Sequence, residues 1–257
     1  MSLRDCLRFA TTSTLRAADP HASPSASGLG MSTPGEAAKH WRRDTDTNGI
    51  CTLTLDRVGS STNVLSGEVL LGLEQHLDAL ADAPPRALLF ASAKRGFIAG
   101  ADISEFTTIE TTEQAYALIR RGQLIIDRIS DLPYATVAVI NGFALGGGLE
   151  LALACRYRVL TDDPSAVLGL PEVKLGIHPG FGGTVRSIRL LGPLPALGMM
   201  LTGRNVRSRE AKRIGLVDAV VPARHLLRAA KSLVESPPAP VRRPAVQTLL
   251  DSPGIRS

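Results

Sequence analysis

From Trp41 onward the apolar positions switch between a period of two and a period near 3.6, the two repeats that separate strands from helices. Ile50-Cys-Thr-Leu-Thr-Leu alternates apolar residues with Thr and predicts a half-buried strand. Across Ser66–Ala81, Val69, Leu70, Leu73, Leu77 and Leu80 fall on one helical stripe, with Ser66 as N-cap and Glu68 in the first turn. Ala87–Ser92 predicts a short apolar strand that ends in a Gly-containing loop. Thr112–Ile129 predicts a helix whose buried stripe is Ala115, Leu118, Ile119, Leu124, Ile125 and Ile129. Ala135-Thr-Val-Ala-Val-Ile is the next strand, and Asn141-Gly-Phe-Ala-Leu-Gly-Gly-Gly leads into an apolar helix. Tyr157-Arg-Val-Leu and Ala166-Val-Leu-Gly-Leu predict further short strands, and Ala223–Val234 a last short helix. Strands alternating with helices at this spacing predict a layered α/β domain.

Two flanks break the pattern. Residues 1–37 are rich in Ser, Thr, Ala and Pro and show no sustained period. Arg4, Arg8 and Arg16 among Ser and Thr suit a leader-like segment, whereas Asp5 and Asp19 do not; a start at Met31 or a disordered extension describes the same residues. After the last helix, Ser236-Pro-Pro-Ala-Pro-Val-Arg-Arg-Pro has linker composition and suggests a truncated tail. The expected organisation is an extension over 1–37, a core over 38–222, and a short helix plus Pro/Arg-rich tail over 223–257.

Composition narrows the class. With 44% hydrophobic and 21% charged residues, the 257-residue chain can bury a sizeable core, which excludes a wholly disordered, collagen-like or coiled-coil protein. Net charge is +5, and the 24 Arg and five Lys stand singly or in pairs. Phosphate-backbone binding normally shows clustered basic residues, so no nucleic-acid partner is expected, while a modest basic patch for a phosphorylated small molecule stays open. Cys6, Cys51 and Cys155 have neither disulfide-framework nor zinc spacing and point to a reducing compartment. The longest uncharged run, Leu132–Leu149, contains Pro133, Asn141 and four glycines, so no membrane span is expected. Arginine dominance over lysine suggests a GC-rich coding sequence and a bacterial source; the expected location is the cytoplasm, with a mitochondrial one as the alternative.

Four segments carry candidate chemistry. Glu150 sits in Gly146-Gly-Gly-Leu-Glu-Leu-Ala-Leu-Ala-Cys, apolar on every other face and therefore a buried helix. A carboxyl there costs several kcal/mol, roughly, unless it is paired or functional. The glycines before it start a helix with unpartnered N–H groups, where an oxyanion can lie close to the backbone. Phe97-Ile-Ala-Gly-Ala-Asp-Ile-Ser-Glu-Phe follows a strand with a small-residue loop whose amides can face the same site, or it is an ordinary turn capped by Asp102. Glu172, in Leu170-Pro-Glu-Val-Lys-Leu-Gly-Ile-His-Pro-Gly-Phe-Gly-Gly-Thr, is a second carboxylate able to return to the pocket, or a surface glutamate beside a turn. Two carboxyl groups in one dry site divide acid and base roles. His178 reads as a packed loop histidine, and Cys155, Met199 and Met200 as core, although the Met pair can also line an acyl pocket. Gly-x-Gly-x-x-Gly, phosphate-loop, nucleophile-elbow, His-Glu-x-x-His and Cys-x-x-Cys patterns are absent from the sequence, and no metal site is expected.

In this order, Phe97–Phe106, Ile140–Ala152 and Leu170–Thr184, with Leu201-Thr-Gly-Arg and Glu210-Ala-Lys-Arg-Ile-Gly-Leu-Val-Asp, resemble the crotonase superfamily, specifically enoyl-CoA hydratase/isomerase. The wording of Pro171–Ile177 and Phe181–Arg186 is similar to the hydratase half of multifunctional fatty-acid-oxidation α-subunits. The resemblance implies a layered ββα superhelix, a spiral core with a helical C-terminal segment. It implies hydration of trans-2-enoyl-CoA in fatty-acid β-oxidation, with Δ3–Δ2 isomerisation as a second activity. Ala99 and Gly147 would supply the oxyanion-hole amides. Ala99, Gly100, Ala101 and Asp102, with Gly147, would lie along the acyl-CoA. Glu150 would activate water, and Glu172 would exchange the α-proton. No metal or redox cofactor is implied, coenzyme A being part of the substrate. The implied partners are the thioester, further copies of the chain and other β-oxidation enzymes. A truncated, weakly active acyl-CoA-binding remnant and another crotonase-type thioester enzyme are the rival expectations.

Overall fold

The computed structural model describes residues 38–107 and 109–237. The extension read over 1–37 and residues 238–257 of the tail lie outside them. A six-stranded sheet is built from β1 (Trp41–Thr45), β2 (Ile50–Leu55), β3 (Ala87–Ser92), β4 (Ala135–Ile140), β6 (Tyr157–Thr161) and β9 (Ala219–Val221), in that order. Only β1, the edge, runs antiparallel to its neighbour. A second sheet holds β5 (Ala144–Leu145), β7 (Val167–Gly169) and β8 (Val206–Arg207). Two isolated bridges, Leu65 with Ala101 and Ile98 with Ala144, extend that second layer backwards along the chain.

From β2, β3, β4 and β6 the chain passes from the large sheet to a bridge or short strand of the second layer and then into a helix or helical turn. The helices are α1 (Gly67–Asp82), α2 (Ile103–Phe106), α3 (Thr112–Asp131), α4 (Gly147–Ala154), α5 (Gly183–Leu191), α6 (Pro193–Thr202), α7 (Ser208–Arg213) and α8 (Leu226–Glu235). This is the ββα spiral that the resemblance implied.

The large sheet is covered on both faces, as parallel sheets require. Cys51, Leu53, Leu55, Leu88, Phe90, Ala138, Ile140 and Leu160 point into the main core with α1, α3 and α4. The alternate residues Ile50, Leu89, Val137, Val139 and Val159 meet Leu226 and Ala230 of α8 on the other face. Ser66 caps α1 by accepting from the Val69 amide, and Thr111 with Gln114 forms a capping box at the start of α3. The predicted stripe of α3 is fully buried only at Ile125 and Ile129, with Ala115, Leu118 and Ile119 half-buried. Leu124 is 44% exposed, whereas Gly122 and Ile126 are buried with Ile125 and Ile129. Leu124 lies about 100° round the helix from Ile125, off the stripe that faces the core. Strands β1, β5, β8 and β9 are not among the predicted ones: β1 is a Trp-Arg-Arg-Asp-Thr edge with only Trp41 buried, and β5, β8 and β9 are two, two and three residues long.

Candidate active site

Helix α4 begins directly after β5, and all eight of its residues are buried. Its far end is closed by a buried arginine that the sequence reading passed over. The Arg158 guanidinium donates to the carbonyls of Cys155 (2.7 Å) and Leu216 (3.0 Å) and pairs with Asp218 (3.2 Å). Cations at a helix C-terminus are favourable, and this one also ties α4 to the loop after α7.

Glu150, in the first turn of α4, is 2% exposed. Its Oε1 accepts from the amides of Phe181 and Gly183, both at 2.7 Å. Gly183 opens α5, so the carboxylate occupies the unpartnered N-terminus of that helix. The approach depends on glycine: a Cβ at position 183 would lie 2.8 Å from Glu150 Cγ. Burial pushes the Glu150 carboxyl from 4.5 up to about 7; the Glu172 charge adds to the rise, while the Gly183 and Phe181 amides and Arg186 oppose it. Arg186 is itself fixed by the Phe181 carbonyl (2.7 Å) and by Asp127.

Glu172 follows Pro171 in a 3-10 turn and is 9% exposed, not the surface glutamate that a turn alone would suggest. Burial raises its pKa, against its own backbone amide and the charge of His178. Its Oε2 is buried and has no hydrogen-bond partner among the described residues. Gly146, at φ 49°, makes room for it, since a Cβ there would sit 2.9 Å from Glu172 Oε1. His178, expected to pack within its loop, is exposed, with Nδ1 3.1 Å from the Pro179 carbonyl. Cys155, Met199 and Met200 are buried, as expected.

The loop over 97–102 lies as an extended segment between two others. Phe97 N donates to Phe143 O (2.9 Å) and Leu145 N to Ile98 O (3.0 Å) on one side. Ala99 N donates to Asn63 O (2.9 Å), Leu65 N to Gly100 O (2.8 Å) and Asp102 N to Leu65 O (3.1 Å) on the other. This corrects the expectation for Ala99, whose amide is already engaged in pairing and cannot serve an oxyanion. Gly100, at φ 127°, interrupts the extended run, so the Ala101 amide does not follow that of Ala99 toward Asn63. Ala101 makes no backbone hydrogen bond through its N–H among the described residues, and its nitrogen lies 3.3 Å from where a Cβ on Gly147 would be. The amides of Ala101 and Gly147, the latter the first of α4, thus share one corner with Gly146 and Glu172. Asp102 caps α2 through the Ser104 amide (3.1 Å) and pairs with Arg57 (2.8 Å). Among the described residues, no group of three or more metal-ligating side chains converges, and no helix is long and apolar enough to cross a membrane.

Comparison with known proteins agrees with this arrangement. The profile of the family described as enoyl-CoA hydratase/isomerase matches residues 45–243. An enoyl-CoA hydratase from Bacillus anthracis is 36% identical, with 76% of this chain and 75% of that one covered and a TM-score of 0.71. An enoyl-CoA hydratase from Mycobacterium smegmatis is 29% identical, covering 76% and 75%, with a TM-score of 0.71. Pseudomonas aeruginosa DspI is 29% identical, covering 88% of each chain, with a TM-score of 0.70. Profile and fold agree: the chain belongs to the enoyl-CoA hydratase/isomerase family of the crotonase superfamily.

Proposed function

We propose that the chain hydrates trans-2-enoyl-CoA to 3-hydroxyacyl-CoA, as a step of fatty-acid β-oxidation in a bacterial cytoplasm, with Δ3–Δ2 isomerisation as a second activity. The observation that carries the proposal is the pair of buried glutamates beside the Ala101 and Gly147 amides, neither of which donates to a backbone carbonyl among the described residues. The thioester oxygen accepts from Ala101 and Gly147, which polarises the conjugated C2=C3 bond and makes C3 electrophilic. Donors of this kind, aimed where charge develops, are worth about 3–4 kcal/mol each.

Glu150 and Glu172 hold one water between them and share one proton near neutrality. Two amides on Glu150 Oε1 favour the carboxylate there, which leaves the proton on Glu172. Glu150 takes a proton from the water as its oxygen bonds to C3. The thioester enolate that forms takes the Glu172 proton at C2, so the elements of water are added and the pair keeps one proton overall. Isomerisation uses Glu172 alone, which removes a proton from C2 of a 3-enoyl-CoA and returns it at C4. No metal or redox group enters either sequence, and coenzyme A acts as part of the substrate.

The test is loss of the enoyl-thioester absorbance with trans-2-crotonyl-CoA and trans-2-decenoyl-CoA, on the native chain and on Glu150→Gln and Glu172→Gln. Both variants are expected to lose hydration by about 10²–10⁴-fold, the contribution of a positioned acid or base. A folded native chain that binds acyl-CoA and turns neither substrate over refutes hydration in favour of a binding remnant.

A further inference from the structure

We infer that Asn63 is a positioning residue, one that sets the Ala101 amide toward the thioester oxygen; the inference rests on the hydratase reading above. Asn63 is 1% exposed, yet it is a polar side chain in an apolar surround. Its Nδ2 donates to the carbonyls of Leu55 (3.0 Å) and Phe97 (3.3 Å) and to Ser92 Oγ (2.9 Å). Its Oδ1 accepts from the Arg57 amide (3.0 Å), and its own carbonyl accepts from Ala99 (2.9 Å). One residue thus joins the end of β2, the end of β3 and both Phe97 and Ala99 of the loop that carries Ala101.

The loop has a second anchor. Arg57, whose amide Asn63 holds, reaches Asp102 with its guanidinium at 2.8 Å. Ser92 Oγ passes the connection on, donating to Gly96 O (2.6 Å) and accepting from Lys94 N (3.0 Å). Ala101 lies between these anchors, and among the described residues its amide donates to no backbone carbonyl. Its direction is therefore set by the pairing on either side of it. Asn63 touches neither glutamate in any hydrogen bond of the structure. It acts through the loop, and its removal should alter the reacting geometry more than substrate affinity.

The test uses Asn63→Asp, which keeps size and the acceptor for Arg57 but loses both donors and sets a carboxylate against two carbonyl oxygens. The optical probe is 4-dimethylaminocinnamoyl-CoA, whose absorbance moves to longer wavelength when its thioester carbonyl is hydrogen-bonded. Mispositioning of a catalytic donor by about 1 Å costs about 100-fold, so kcat should fall by that order while KM changes by less than about threefold. The red shift of the bound probe should fall with kcat. A folded Asn63→Asp with native kcat and native red shift overturns the inference. Should that variant fail to fold, Ser92→Ala, which removes one link at a half-buried position, takes its place. A drop in kcat and red shift at constant KM then supports the inference, and native values overturn it. A native chain that shifts the probe but hydrates nothing refutes the hydratase reading instead, and the red shift alone then decides on Asn63.

Discussion

Glu150→Gln should make the protein more stable and inactive, and the gain in stability should depend on pH in a defined way. The Glu150 carboxyl moves from 4.5 to about 7 on folding, chiefly because burial disfavours its charge. At roughly 1.4 kcal/mol per pH unit, keeping it ionised in the native state costs about 3 kcal/mol. An acid with a raised folded-state pKa binds its proton more tightly in the native state. The native state therefore carries more protons between pH 4.5 and about 7, and stability falls as pH rises through that window. Below it both states are protonated and the cost vanishes; above it the cost is felt in full. Glutamine removes the ionisation, while its carbonyl can accept the Phe181 and Gly183 amides that now meet Oε1.

Urea unfolding followed by far-UV circular dichroism, at about pH 5 and about pH 8, measures the difference. The variant should exceed the native chain by up to about 3 kcal/mol at the higher pH and by less than about 1 kcal/mol at the lower. Equal stabilities at about pH 8 with unchanged m-values, or a gap independent of pH, would refute the account of Glu150 as a carboxylate held against its solvation preference.

Three further outcomes follow from the same geometry. Gly183→Ala places a methyl 2.8 Å from Glu150 Cγ and should lower kcat by about 100-fold in a folded protein, read by the hydration assay. The pH profile of kcat/KM should have its acidic limb near about 7, where Glu150 loses its proton and becomes the base; a flat profile across that value would remove Glu150 from the proton traffic. Arg158→Met should cost about 3–5 kcal/mol in urea unfolding, because it leaves Asp218 and the end of α4 without their buried partner.

Much of this architecture is legible in the sequence because period and capping coincide. β2, β3 and β4 start and end at the predicted residues, and Ser66 caps α1 as read. Glu150 and Glu172 could be picked out because a carboxyl in an apolar or glycine-rich segment conflicts with its surroundings. Asn63 and Arg158 could not. Asn63 stands among Ser60, Ser61 and Thr62, where polarity is unremarkable, and Arg158 reads as an outward residue of an alternating strand. Their importance arises from partners 29–60 positions away, Ser92, Phe97, Leu216 and Asp218 among them. The error at Ala99 has the same origin. A loop composition says that amides can be presented, but the direction of each N–H depends on pairing with Asn63 and Leu65.

The spiral also explains why such a site tolerates so little local change. Ala101 comes from the second turn of the ββα repeat, Gly147 and Glu150 from the third, and Glu172, Phe181 and Gly183 from the fourth. No single turn holds a donor, a base and an acid together; the short strands of the small sheet bring them to one height through direct hydrogen bonds, from Leu145 to Ile98 and from Gly146 to Gly169. A shift in one turn is therefore passed to the next at the reacting atoms, not absorbed by an intervening loop. Substitutions at the crossing points, Asn63, Gly146 and Gly183, should then combine non-additively with changes at the glutamates. The same substitutions on the far face of the large sheet, beneath α8, should simply add.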